Sequence, residues 1–467
     1  MITKIYDLNL SDHIVEILET SMDVLWLVFL PLLTKLIVQL AVGIYSVAKF
    51  GLRRLCLRFR TPAAQDDDVS KTPRICVIVP AYNEEVGVVK TLQSVKNTKY
   101  PNLQLIVVND GSTDKTHEKI TQWMEQLQEN NRDVEQGAFS RKQMTTKYLK
   151  LENGGKAAAM NTAIQHVDGE FVVTVDADSV MHHNALDEMI TCFDGPDVGA
   201  VAGNVIVANR SKMIGMVQQL EYLNGFFFKR ADSILNAVYI IGGAAAAYRK
   251  TVLDDVGSFD DAIITEDIEL STRILKYRWK TRYAHNAYVF TEGPSEWTGL
   301  ANQRLRWKFG RLRTFMKHWD LFFNVRHPNL YLTCFLLPLT LYGEFLLFFD
   351  WIVFPLCIFY LLFVNMEIFL VVILILTGMT LFQIAVDRKR KFHLNLLMVA
   401  PFTWIVALTI EVVEFTALHR SIWRLILGRG LKWQKWNRVG LSDGDLVDAQ
   451  DDNDDDVAEE KEYEEPN

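Results

Sequence analysis

Two kinds of hydrophobic pattern divide this chain. Residues 24–48 (VLWLVFLPLLTKLIVQLAVGIYSVA) form one apolar run, about the ~20 residues a helix needs to span a bilayer, and apolar runs resume near Leu330 and continue to about Leu427. Between them, over roughly 72–325, short β-branched runs alternate with helix-like stretches. RICVIVPAYN, QLIVVNDGS, TKYLKLENG and EFVVTVDADS each end in a polar turn before a helix. That alternation predicts βαβ units and a parallel sheet. Ligands bind beyond the carboxyl ends of such strands, where the polar residues of this segment lie, so one pocket would collect them.

Lys35 and Pro31 interrupt the first apolar run, which predicts a helix packed on other protein rather than facing lipid all round. No A-x-A-like site follows it, which argues against a cleaved signal peptide. Residues 1–23 carry five acids and one lysine, whereas Lys49, Arg53, Arg54, Arg58 and Arg60 follow the run. The positive-inside rule then places 1–23 outside the cell membrane and the 72–325 domain in the cytoplasm. Within 330–427, spans are expected at 346–364 and 368–386, joined by a tight turn at Asn365. An interfacial helix is expected at 331–345 and a further candidate span at 394–418. The basic clusters at 388–391 and 420–438 both call for the cytoplasm, so either 394–418 is re-entrant or 331–364 crosses twice.

The net charge of −8 is an uneven average, because residues 443–467 carry thirteen acids and one lysine and leave the rest at +4. This block reads as an acidic, disordered tail and says nothing of what the folded part binds. The five cysteines lack C-x-x-C spacing, which argues against a zinc site or disulfide framework and for apolar filler. Nothing in the sequence calls for nucleic acid.

The turn Pro80–Glu85 places Tyr82 beside Glu84, an aromatic ring and an acid that suit a flat base, although a turn and helix cap would look the same. Asp110 ends the second strand, placed to accept from a base N–H or a ribose hydroxyl, whereas Ser112 and Asp114 fit a turn and N-cap. Asn153-Gly154-Gly155-Lys156 opens a helix whose amino end and lysine favour an anion, or is a loop with a surface lysine. Asp176 and Asp178, two apart on an extended chain, point the same way and can share a divalent cation. His182 and His183 read as surface helix residues rather than ligands. Glu266 and Asp267 stand at a helix start, where an acid is either a cap or a general base. Gln303 and Arg306 share a helix face with Trp307 beside them; arginine suits a diphosphate and tryptophan a pyranose, while snorkelling at an interface accounts better for Arg304.

The ordered series VIVPAYNEE, VVNDGSTD, NGGKAAAMNTA, VDADS, GGAAAAYRK, ITEDIEL and QRLRW resembles processive family 2 glycosyltransferases over about 72–320. The likeness is greatest to bacterial poly-β-1,6-N-acetylglucosamine synthases, with hyaluronan, chitin and cellulose synthases as relatives. It implies an α/β GT-A domain set between membrane-spanning helices and an inverting transfer from a UDP-sugar to a growing polysaccharide. It further implies that Tyr82 and Asp110 hold the uridine, with Lys156 near the nucleotide and Glu84 among the substrate-binding residues. Asp176 and Asp178 would hold Mg²⁺ or Mn²⁺, and Asp267, with Glu266 beside it, would be the base. Gly242 and Gly243 would line the acceptor site, and Gln303, Arg306 and Trp307 would clamp diphosphate and acceptor. No F-x-V-T-x-K segment is present, which argues against glucan, and T-E-D stands where hyaluronan and chitin-type synthases tend to have G-D-D or G-E-D. A small membrane subunit or export partner fits this picture. Transfer to a lipid or lipid-linked acceptor, a hyaluronan- or chitin-type product, and a non-catalytic scaffold are the alternatives.

Overall fold

The computed structural model describes residues 12–58, 72–135, 143–431, 436 and 438–446. The first eleven residues of the expected 1–23 segment and the acidic tail beyond 446 lie outside them. The four marked β-branched runs form β1 (Ile75–Ala81), β2 (Asn102–Asp110), β3 (Gln143–Leu151) and β4 (Phe171–Thr174), paired in parallel in the order β3–β2–β1–β4. Their near-continuous Val and Ile reflect burial on both faces, and buried apolar side chains pack on each side of the sheet. Helices α2 (Val88–Lys96), α3 (Thr116–Glu135) and α4 (Lys156–Ile164) connect these strands.

Beyond the four marked runs the sheet is mixed. After β5 (Ser179–Met181) and α5 (Ala185–Ile190) come β6 (Val198–Val207), α6 (Met213–Ile234), β7 (Ala246–Arg249), α7 (Lys250–Val256), α8 (Glu266–Lys276) and β8 (Lys280–Thr291). The full order is β3–β2–β1–β4–β7–β6–β8–β5, with β7 antiparallel to both neighbours and β5 antiparallel to β8. Thr174, the last residue of β4, pairs with Ala246, the first of β7. The chain therefore enters β7 at the carboxyl edge and must run backward, which carries Gly242 and Gly243 to the rim beside Asp176. A four-residue strand of mostly alanine has no alternation by which its direction is read.

Helix α1 (Asp12–Arg58) contains the first apolar run, and its Thr20–Gly51 stretch is long and apolar enough to cross a membrane. Its polar interruptions face protein, as expected: Lys35 donates to Thr340 (2.9 Å) and Gln39 to Asp232 of α6 (2.9 Å). After α9 (Trp297–Lys317), the region expected as an interfacial helix is a wide turn at Tyr331–Leu336 running into α10 (Leu337–Leu347). The span expected over 346–364 is instead α11 (Asp350–Phe363), bent by 80° from the helix before it. Fourteen residues rise only about 21 Å, short of a ~30 Å hydrocarbon core. Helix α12 (Met366–Val386) matches the second expected span, and Asn365 caps it by accepting from Ile368 N–H (3.2 Å).

Residues 394–402 are short 3₁₀ turns, so the last expected span starts late, as α13 (Thr403–Ile426). Thus three described helices are long and apolar enough to cross a membrane, or four if the bent pair is one span. Both basic clusters meet the α/β segment: Arg388 pairs with Glu188 (3.3 Å) and Arg438 with Glu84 (3.3 Å). Asp443–Leu446, expected as the start of a disordered tail, form a helical turn, and Lys90 donates to Asp443 and to the Leu441 carbonyl (2.7 Å each). Of the described cysteines, Cys76 is buried, Cys192 and Cys357 are partly buried and Cys334 is exposed.

Candidate active site

A cavity of about 790 Å³ opens at the carboxyl edge of the sheet, and every site residue named from the sequence lines it. Asp110 ends β2, buried, with its two carboxylate oxygens accepting from the amides of Gly154 (2.8 Å) and Gly155 (3.0 Å). Burial raises its pKa and those two amides oppose the rise. A side chain on Gly111, at φ +70°, would stand 2.6 Å from the Asn153 amide nitrogen, so glycine is what lets these two loops close together. Tyr82 stands at the rim, 38% exposed. Ser112 N–H donates to Asn109 Oδ1 (2.9 Å) in a local turn, and Asp114 accepts from Thr116 N–H (3.0 Å) at the start of α3.

Lys156, first residue of α4, reaches Asp176 (2.5 Å) and Glu266 (3.6 Å). Burial alone would lower its pKa, but Asp176 and Glu266 override it and hold the ammonium well above its usual value. Any side chain at Gly243 would sit 2.8 Å from Lys156 Nζ and 3.6 Å from Asp267 Oδ2, so the glycine is what admits this cluster. Asp267 lies in the first turn of α8, its Oδ1 accepting from Ile268 N–H (2.9 Å). Burial, with the charge of Asp267 adding to it against the pull of Lys156, pushes Glu266 up to about 7.

Helix α9 supplies the opposite wall. Gln303 and Arg306 are buried, and Gln303 Oε1 has no hydrogen-bond partner among the described residues. Burial and the neighbouring Arg438 charge draw Arg306 down to about 10. Arg304 does not snorkel as expected: it is 2% exposed, pairs with Glu221 (2.7 Å) and Glu414 (3.5 Å), and lies 4.1 Å over the Trp307 ring. Helix α13 packs against α9 and supplies Glu414 to it, so the arginine is balanced by acids inside the protein. The expectation for the two histidines also fails in part, since His182 is buried beside Tyr288 and precedes α5 rather than lying on it.

The sequence reading missed one wall. The segment after α13 returns to the cleft, where Arg438 meets Asp178 and Glu84 and stacks on Trp436 at 4.2 Å. The amides of Val439 and Gly440 donate to the two oxygens of Glu292 (2.8 and 3.0 Å). Its arginine and tryptophans were visible in the 420–438 basic cluster, but they read as a topology signal because nothing local says where they return.

Among the described residues no group of three or more His, Cys, Asp or Glu forms a ready metal cage. Asp176 and Asp178 nevertheless fit the one or two carboxylates a protein contributes to a Mg²⁺ that takes its other oxygens from phosphate and water. Asp178 meets the Arg438 guanidinium, and its Oδ1 accepts from Ser179 (3.0 Å) and Thr291 (3.4 Å), so a cation there must share or displace Arg438.

Residues 73–310 match the family described as Glycosyltransferase like family 2. The chain is a family 2 glycosyltransferase. This glycosyltransferase is 32% identical over 264 residues to a poly-β-1,6-N-acetyl-D-glucosamine synthase of Staphylococcus epidermidis, covering 56% of this chain and 60% of the relative. It is 29% identical over 282 residues to the synthase of the same name from Staphylococcus aureus strain COL, 60% of this chain and 64% of that one. The matches thus span less than two thirds of those relatives. In fold it resembles the mannosyltransferase PcManGT from Pyrobaculum calidifontis, solved with GDP-Man and Mn²⁺, at a TM-score of 0.50 and 20% identity over 84% of this chain and 99% of that one. The glycosyltransferase therefore has a GT-A-like domain flanked by membrane-length apolar helices.

Proposed function

We propose that this glycosyltransferase polymerises N-acetylglucosamine from UDP-N-acetylglucosamine into an exported polysaccharide at the cell membrane, with its catalytic domain in the cytoplasm. The observation that carries this reading is the convergence of Asp110, Lys156, Asp176, Asp178, Asp267, Arg306 and Trp307 on one cavity in a chain most similar, among the relatives named above, to poly-N-acetylglucosamine synthases. The basic residues beside the domain, Arg388 and Arg438, favour the cytoplasmic face.

In this mechanism Tyr82 stacks on the uracil, and Asp110 accepts from the nucleoside through the lone pairs its glycine contacts leave open. Lys156 and Arg306 face the diphosphate. Asp267 removes the proton of the acceptor hydroxyl as that oxygen bonds to the anomeric carbon; the bond from that carbon to the diphosphate oxygen breaks, its electron pair leaves with UDP, and the configuration inverts. Mg²⁺ or Mn²⁺ held by Asp176 and Asp178 would supply positive charge to the departing diphosphate. Lys156 and Arg306 stabilise that same developing charge from fixed positions. Trp307 offers a face for the terminal acceptor sugar.

A screen of UDP-sugars with the purified full chain, scored by UDP release, tests the donor, and digestion of the product by linkage-specific hydrolases tests the polymer. UDP-N-acetylglucosamine should release UDP fastest and give a product cut by β-1,6-N-acetylglucosaminidase. A faster donor, or a product that moves with lipid on chromatography, would overturn the assignment.

A further inference from the structure

The cavity does not end at Asp267. It continues along one face of α6, where Tyr222, Gly225, Phe226, Lys229 and Asp232 recur at helical spacing as lining residues. A side chain built at Gly225 would meet nothing within 4 Å, so this face opens on empty space four residues before Lys229. The Lys229 ammonium lies 4.2 Å from the Phe226 ring, and no carboxylate lies within ion-pair distance of it among the described residues. The acids whose charges reach it are Asp232 and Asp267. Asp232 is itself satisfied, accepting from Gln39 (2.9 Å) and Tyr331 (3.0 Å).

A half-buried ammonium facing one aromatic ring recovers little of the hydration it has lost, since a cation–π contact contributes only about 0.5–2 kcal/mol. Burial accordingly draws Lys229 down to about 8. The structural arginines and lysine of the neighbouring wall are bonded to carboxylates: Arg304 to Glu221, Lys308 and Arg311 to Glu344. Lys229 is different, because its donors point into a cavity lined by rings and by an open glycine. Such a place suits a pyranose, whose apolar face packs on aromatics while its oxygens accept from the ammonium. Asp232 one turn on offsets its charge, so a neutral glycan fits this lobe better than an anionic group.

Resting on the proposed function, we infer that Lys229 is a positioning residue for the acceptor, its ammonium donating to a hydroxyl or acetamido oxygen of the glycan that Asp267 activates. Lys229 has no part in holding the nucleotide, which lies at the Asp110 end of the cavity.

The test uses the full-length protein with N-acetylglucosamine oligomers as acceptors and UDP-N-acetylglucosamine as donor. Lys229→Met should raise the acceptor KM about tenfold, leave the donor KM and the affinity for UDP within about twofold, and shorten the product. Lys229→Arg, which keeps the charge, should recover most of the acceptor affinity. Unchanged UDP binding shows that Lys229→Met is folded, so an unaltered acceptor KM in that variant would overturn the role of Lys229 alone. An equal rise in both KM values would overturn it too, by making the residue a general part of the cleft. A wild-type protein that extends no oligomer with any UDP-sugar would instead sink the functional reading, and this inference with it.

Discussion

Glu266 and Asp267 are adjacent acids with unequal surroundings. Glu266 is the buried one, pushed up to about 7, against roughly 4.3 for an unfolded glutamate. A raised carboxyl pKa contributes stability that is fully present below the unfolded value and lost as pH rises through the folded one. The same sign governs ligand binding: above about pH 7 its charge joins Asp176 and Asp267 against an incoming diphosphate. UDP affinity measured by calorimetry should therefore fall several-fold from about pH 6 to about pH 8 in the wild type and hardly at all in Glu266→Gln. An identical pH dependence in both proteins would remove Glu266 from this role. Asp267→Asn should lower turnover by about 10²–10⁴-fold with UDP binding retained, as read in parallel assays of transfer and binding. Asp110, Asp176 and Asp267 were legible because a polar residue ending an apolar strand or opening a helix marks its own place on the sheet edge. Lys229 was not, because within FFFKRAD the periodicity marks a helix but not which face meets a cavity.

At the scale of elements, two arrangements depend on chain segments far apart in sequence. The return of residues 436–441 to the cleft sets Arg438 on Asp178, a guanidinium where a divalent cation would bind. Arg438→Ala should tighten Mn²⁺ binding on the order of tenfold, about 1.4 kcal/mol, as measured by electron paramagnetic resonance of the free ion; unchanged binding would mean that the two do not compete. Helix α9 is held from behind by Lys308, which bonds Glu344 of α10 (2.7 Å) and Glu414 of α13 (2.8 Å) in a buried cluster. Removing one member of a buried pair leaves its partners uncompensated, so Lys308→Met should cost about 3 kcal/mol. That is the low end of the usual range, because Arg311 still reaches Glu344 and Arg304 still reaches Glu414. Thermal melting in detergent checks it. Nothing local in the sequence accounts for Glu344 and Glu414 inside their apolar runs, since the cations that justify them lie on another helix.

For the whole molecule, hydrophobic patterning marks an α/β fold flanked by apolar helices, and it fails where direction or curvature decides. The antiparallel β7 and the 80° bend before α11 both arise from where the chain must go next rather than from any local period. On the proposed function, one cleft backed by membrane-length helices is where a chain is built and retained. The most direct test is the length distribution made by the full protein in lipid nanodiscs, given labelled UDP-N-acetylglucosamine and excess acceptor. Long polymer should form while most acceptors stay unextended. A ladder in which all acceptors grow together by one or two sugars would contradict it.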